Sequence, residues 1–135
     1  MARSYEQICP IAQTLDLIGE RWTLLILRDL IFGQSKFSEL QESLPGIPTR
    51  VLSERLKGLQ AHGLVEREVY SQHPLRAGYR LTEKGRSLRP VLAALADWGL
   101  AYRLPEDPRN PLANPAIKAI IDEKARLLYE DASPA

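Results

Sequence analysis

Arg50, Ser53 and Lys57 stand at helical spacing, so one side of a helix would present a guanidinium, a hydroxyl and an ammonium. These groups donate hydrogen bonds and carry positive charge, the chemistry that reads base edges and meets phosphate oxygens in duplex DNA. Thr49 opens the same stretch, Lys36 and Ser38 precede it, and Arg76 follows it. Lys36, Ser38, Thr49, Arg50, Ser53, Lys57 and Arg76 are therefore the candidate DNA-contacting residues. Arg55, Arg67 and Arg86 are read as solvated. The chain shows no glycine-rich phosphate loop, no metal-ligand spacing and no nucleophile-and-base set, so neither an enzyme nor a cofactor is expected. His62 is read as decorating a helix end, His73 has no nearby ligand partner, and Trp22 and Trp98 are read as core or interface residues.

The elements that must hold these groups follow from periodicity. Phe37, Leu40 and Leu44 fall on one helical face, and Pro45-Gly46-Ile47-Pro48 then stops the helix because proline lacks an amide donor and glycine favours turns. A second helix is expected over 49–62. Its stripe is Leu52, Leu56 and Leu59, its opposite face carries Arg50, Ser53, Glu54 and Lys57, and Gly63 ends it. The period then changes. Residues 64–70 alternate and are rich in β-branched and aromatic types, and 78–82 can pair with them. The intervening 71–77 is expected as a loop too long for a tight hairpin turn, with Arg76 reaching a phosphate or a minor-groove edge. The order is helix, turn, helix, then a β-wing. It predicts a mainly α fold with a small antiparallel wing, a winged helix-turn-helix.

Around this motif, Pro10 starts a helical pattern with Ile11, Leu15 and Ile18 on one stripe, and Gly19-Glu20 breaks it. The segment 22–32 is apolar nearly all round and stops at Gly33, the profile of a central core helix. Thr82 is expected to cap a long helix with the stripe Leu88, Val91, Leu92, Leu95, Trp98 and Tyr102, in which Pro90 interrupts one hydrogen bond. Ala93, Ala94, Ala96 and Leu100 give it a second apolar face, an excess that points to an interface. A homodimer is expected through Ile11, Leu15, Leu88, Leu92, Leu95 and Trp98, so that the N- and C-terminal helices pair two readers. Residues 104–115 read as a proline-rich linker, and an amphipathic helix over 116–129 follows, with Ile117, Ile120, Ile121, Lys124 and Leu128 near one face.

The net charge of +1 hides a division along the chain. From Arg50 to Arg89 there are nine basic and four acidic residues, a local +5, whereas after Arg103 there are four basic and six acidic, a local −2. The basic middle supplies the phosphate attraction that dominates nucleic-acid affinity. At 135 residues the chain suits one globular core. The division expected is 1–103 for DNA binding and dimerisation, and 104–135 for the linker and last helix. One cysteine excludes an intramolecular disulfide, and neither a membrane span nor a signal peptide is visible, so a cytoplasmic location without a membrane partner is expected.

Cys9-Pro10-Ile11, Ile18-Gly19-Glu20-Arg21-Trp22, Leu24-Leu25-Ile26-Leu27-Arg28, Phe37-Ser38-Glu39-Leu40, Pro45-Gly46-Ile47, Leu52-Ser53-Glu54-Arg55-Leu56, Gly63-Leu64-Val65 and Leu81-Thr82-Glu83-Lys84-Gly85 together resemble the HxlR-type winged helix-turn-helix regulators, over about residues 9–99. The resemblance implies a dimeric bacterial transcription regulator of palindromic operators, with 49–62 reading bases and the wing on backbone or minor groove. It also implies that Cys9 is a candidate sensor of oxidants or electrophiles. Its place before Pro10, at a helix start whose unpaired amides favour negative charge, suits that role, and a small apolar residue packed under the dimer helices is the other reading. Ala77-Gly78 departs from the larger pair common in the family. The alternative function is a winged-helix protein-interaction module without sequence-specific DNA binding.

Overall fold

Leucine spacing decides how the first half of the chain packs. Leu52, Leu56 and Leu59 are no more than 2% exposed, as are Leu40, Leu44, Ile26 and Leu27, and burying each such side chain contributes about 1.5–3 kcal/mol. The computed structural model describes residues 4–109 and 114–129, with only the backbone for Ile117. Its helices and strands are α1 (Pro10–Ile18), α2 (Thr23–Ile31), α3 (Phe37–Ser43), α4 (Thr49–Ala61), β1 (Val65–Gln72), β2 (Leu75–Leu81), α5 (Glu83–Arg86), α6 (Arg89–Tyr102) and α7 (Pro115–Tyr129). They fall into two compact units, Met1–Arg86 and Ser87–Ala135.

In the first unit α2 lies against α3 and β2, and α4 against β1. The helices α1, α3 and α4 form where the apolar periodicity places them. The helix α2 differs from its expected profile. It leaves Leu25 exposed and buries Asp29, whose Oδ1 takes an ion pair from Arg28 at 2.8 Å. A helix so built has an inner and an outer side rather than being apolar all round.

The wing corrects the sequence expectation most clearly. Strands β1 and β2 run antiparallel with Val65 opposite Leu81 and Gln72 opposite Leu75, so only His73 and Pro74 turn the chain. The segment expected as a seven-residue loop is largely strand. Two local features allow this: a register shift between Val69 and Ser71 takes up the odd residue Tyr70, and the Ser71 hydroxyl donates to the Pro74 carbonyl at 2.8 Å. Ala77 and Gly78 are paired within β2, opposite Val69 and Glu68.

The start of the long helix is also corrected. Thr82 caps α5, its Oγ1 accepting from the Gly85 amide at 3.1 Å, and α6 begins only at Arg89. Pro90 therefore sits in the first turn of α6, where no intrahelical bond is lost. Around Thr82 a joint closes the first unit. The last turn of α4 ends with the Gly63 amide donating to Gln60 O at 3.0 Å and the Leu64 amide to Leu59 O at 2.9 Å, the paired bonds of a Schellman cap. The Thr82 amide then donates to Leu64 O at 3.0 Å and the Thr82 hydroxyl to Gly63 O at 2.6 Å.

In the second unit α6 lies against α7 and a 3-10 turn at Leu104–Glu106, so part of the expected linker is ordered backbone. Residues 110–113 of that linker, and the side chain of Ile117, lie outside the described residues. On α6, Leu92 and Ala93 are buried, whereas Val91, Leu95, Trp98 and Tyr102 are exposed on the opposite side. Leu92 thus leaves the expected exposed stripe. On α7, Leu128 is buried but Ile120 is exposed, and the Tyr129 hydroxyl donates to Asp97 of α6.

A Cβ at Gly85 would stand 2.1 Å from Leu64 O, the carbonyl that already serves Thr82. Gly85→Ala is expected to destabilise the protein by about 1–3 kcal/mol, read as a lower denaturant midpoint at unchanged slope.

Candidate nucleic-acid interface

The turn between α3 and α4 is fixed by residue type. Ile47 donates to Leu44 O at 3.1 Å across Pro45 and Gly46, and Gly46 has φ +92°, so the four residues make a type II turn with proline and glycine at its centre. Buried Ile47 pins the turn to the core, and Pro48, with no amide to satisfy, precedes the first turn of α4. Across the turn the Gln41 side-chain amide donates to Thr49 Oγ1 at 2.7 Å. The hydroxyl proton of Thr49 is thereby left to point elsewhere.

At the other end of α3 the Glu39 carboxylate accepts from the amides of Lys36 at 2.9 Å and Ser35 at 3.2 Å. Ser35 in turn offers its carbonyl to the Tyr79 amide of β2 at 2.8 Å. One short segment thus holds the start of α3 and the wing together. The two amide bonds keep the Glu39 carboxyl below its ordinary pKa, that from Lys36 more than that from Ser35.

The candidate residues are distributed over this frame as follows. Thr49, Arg50 and Lys57 are exposed on α4 and Ser53 is half-buried. Lys36 and Ser38 are exposed at the start of α3, and Arg76 is exposed near the wing tip. Arg50 Nη1 meets Glu54 Oε1 at 2.7 Å one helical turn on. Among the described residues Lys57 and Arg76 make no ion pair or hydrogen bond. Arg80, by contrast, is held by Glu66 at 2.9 Å and Glu68 at 3.7 Å across the hairpin.

Two arginines read as solvated are structural. Arg55 Nε donates to Arg21 O at 3.0 Å and its Nη1 meets Glu20 at 3.3 Å, tying the middle of α4 to the connection between α1 and α2. Arg86 Nη1 donates to Leu81 O at 2.9 Å. An intervening residue count gives no hint of such contacts, although Glu20 and Arg55 both lie in the motifs quoted above. Trp22, beside that anchor, has φ +78° and carries the Arg21 guanidinium 5.3 Å from its ring centroid.

Away from α4, Cys9 caps the start of α1 with its backbone and is half-buried. Ile11 and Leu15 are exposed on α1, and Leu95 and Trp98 on α6, with the Trp98 and Tyr102 ring centroids 5.4 Å apart. Leu88 is half-buried and Leu92 is buried within the single chain, so Leu92 offers no free surface. Among the described residues no cluster of His, Cys, Asp and Glu is arranged to hold a metal, and no helix is long and apolar enough to cross a membrane.

The HxlR-like helix-turn-helix family model matches residues 17–107, which span α2 to α6 and contain the whole motif and wing. The chain belongs to the HxlR-like helix-turn-helix family. An HTH-type transcriptional regulator of Synechocystis is 42% identical over 95 residues, covering 67% of this chain and 70% of the relative. The redox regulator HypR in its oxidized form is 40% identical with a TM-score of 0.66, covering 70% of this chain and 98% of HypR. The reduced form of the transcriptional regulator YodB from Bacillus subtilis is 36% identical with a TM-score of 0.63, covering 75% of this chain and all of YodB (100%). As an HxlR-type protein the chain is a DNA-binding transcriptional regulator with a winged helix-turn-helix.

The lowered pKa of Glu39 makes its contribution to stability dependent on pH. A depressed carboxyl stabilises the fold above the unfolded-state pKa, and that stability is lost as pH falls through the folded value. Glu39→Gln should therefore lower the melting temperature at neutral pH, and the gap from wild type should close on the acid side; a gap constant with pH would refute the assignment.

Proposed function

We propose that the protein works as a homodimer in the cytoplasm, binding palindromic operator DNA with α4 in the major groove of each half-site and the β1–β2 hairpin on backbone or minor groove. The observation that carries this reading is the two-sidedness of α4. Leu52, Leu56 and Leu59 are wholly given to the core, which leaves Arg50 and Lys57 on the side away from it, with Ser53 half-buried at the margin and Thr49 exposed at the helix start. Lys36, Ser38 and Arg76 add donors at the flanks, suited to phosphate contacts that set position rather than sequence. Ile11 and Leu15 on α1, and Leu95 and Trp98 on α6, are the apolar surfaces that pair two subunits, with Leu88 at the margin. In this division of labour 1–103 binds DNA and dimerises, and 104–135 supplies the proline-rich linker and the last amphipathic helix.

Cys9 is the input of this regulator, the group on which oxidants or electrophiles act. Its support is its half-buried place at the head of α1, together with likeness to the redox regulator HypR. With one thiol per chain, a reversible disulfide forms only with a partner subunit or a small thiol, and an electrophile instead leaves an adduct on the sulfur.

Footprinting on duplex DNA is expected to show two half-sites about 10–10.5 base pairs apart centre to centre, or a multiple of that. Arg50→Ala should cost about 1–3 kcal/mol on the operator and far less on random duplex, measured by fluorescence anisotropy at fixed salt. Equal losses on both would make Arg50 a phosphate contact, and no salt-dependent binding to any duplex would overturn the DNA reading. Diamide or a quinone should shift operator affinity of the wild type and leave Cys9→Ser unmoved; the same response in both proteins would remove Cys9 from the mechanism.

A further inference from the structure

Glu54 is the only acidic residue of α4, and it sits between Arg50 and Lys57 on the surface of that helix. On a face that enters an anionic groove, a carboxylate repels every DNA sequence alike unless it does something that depends on the base. Helix stability is a poor reason for its presence. The Arg50 and Glu54 side chains are 76% and 50% exposed, where ion pairs contribute little, and arginine preceding glutamate is the less favourable order along a helix.

What the pair does is hold the guanidinium. Arg50 Nη1 donates to Glu54 Oε1 at 2.7 Å, which uses one of its five N–H donors and leaves four. A bidentate contact with O6 and N7 of guanine needs two of these. We propose that Glu54 is a positioning residue that sets Arg50 for the guanine edge and penalises other bases, an inference resting on the major-groove reading of α4 given above. An untethered arginine reaches a phosphate as readily as a base. Tethered by Glu54, Arg50 can turn to a phosphate only by leaving a carboxylate unpaired in a groove from which water is excluded. Lys57 and Arg76, with no ion pair among the described residues, remain plain phosphate-seeking charges.

The test uses the full chain and a pool of random-sequence duplexes, selected for binding and sequenced, with wild type, Glu54→Gln, Arg50→Ala and the double variant. Melting curves confirm that each is folded. Wild type is expected to enrich a site with a guanine at one position of each half. Against that site and its guanine-substituted counterpart, Glu54→Gln should reduce discrimination about three- to tenfold, the scale of releasing one immobilised side chain. The same change should tighten binding to random duplex, because a repelling charge is gone. In the Arg50→Ala background Glu54→Gln should leave discrimination unaltered. Full discrimination by Glu54→Gln, or a loss that persists without Arg50, would overturn the positioning role while the major-groove reading stands. Failure of wild type to enrich any sequence would overturn that reading and this inference together.

Discussion

The carbonyl of Leu64 is the point on which the helix-turn-helix and wing depend. It lies one residue past the Gly63 cap of α4 and directly before β1, and it accepts the Thr82 amide that follows β2. Gly85 of α5 approaches it so closely that no side chain fits there. The end of α4, both ends of the wing and the helix after it therefore meet at one polar atom. Because a buried backbone carbonyl must be satisfied, this arrangement is enforced by hydrogen bonding rather than by apolar contact alone. The spacing Gly63-Leu64-Val65 and Leu81-Thr82-Glu83-Lys84-Gly85 is the sequence trace of that joint.

Charge on the protein is divided by what each arginine touches. Arg55 and Arg86 are anchored on backbone carbonyls and Arg80 on two glutamates, so fewer of the basic side chains are unengaged than their number along the sequence suggests. Lys57 and Arg76 are unspent among the described residues, and Arg50 is engaged by a partner on its own helix. Such exposed pairs add little to stability. Their interest lies in which donors are already oriented before any partner arrives.

The sequence was legible where one physical rule acted alone. The helices α1 and α4 and the turn between α3 and α4 follow from periodicity and from Pro45, Gly46 and Pro48, which act through local backbone geometry. Legibility failed where two rules compete. Pro74 lies in the turn, yet strand pairing continues to Gln72 and Leu75 on either side, so the loop expected over 71–77 shrinks to two residues. Thr82 announced a helix correctly but not its length, since the chain breaks again at Ser87 and Leu88 before α6. Arg55 was legible as basic and exposed-side, whereas its anchor on Arg21 and Glu20 is a contact across 34 residues that no local pattern reports. For the candidate DNA contacts, the exposure of Arg50 and Lys57 on α4 follows from its apolar stripe, whereas the pairing of Arg50 with Glu54 is a contact one turn along the outer face that the stripe does not report.

The wing also sets terms for how such a protein changes over time. Its tip is a two-residue turn closing eight residues of one strand against seven of the other, with the single surplus absorbed at Tyr70. Side chains alternate faces along a strand, so one residue added to each strand beyond that point keeps the pairing but turns the whole tip over, while two added to each lengthen it by two residue rises, about 7 Å, with its facing kept. Lengthening by two residues on each strand keeps Arg76 facing as it does, one on each strand turns it over, and a lone insertion needs a second bulge to restore pairing. The hairpin is thus a ruler with discrete marks, and its reach toward a partner can change with facing kept only in steps of two residues per strand.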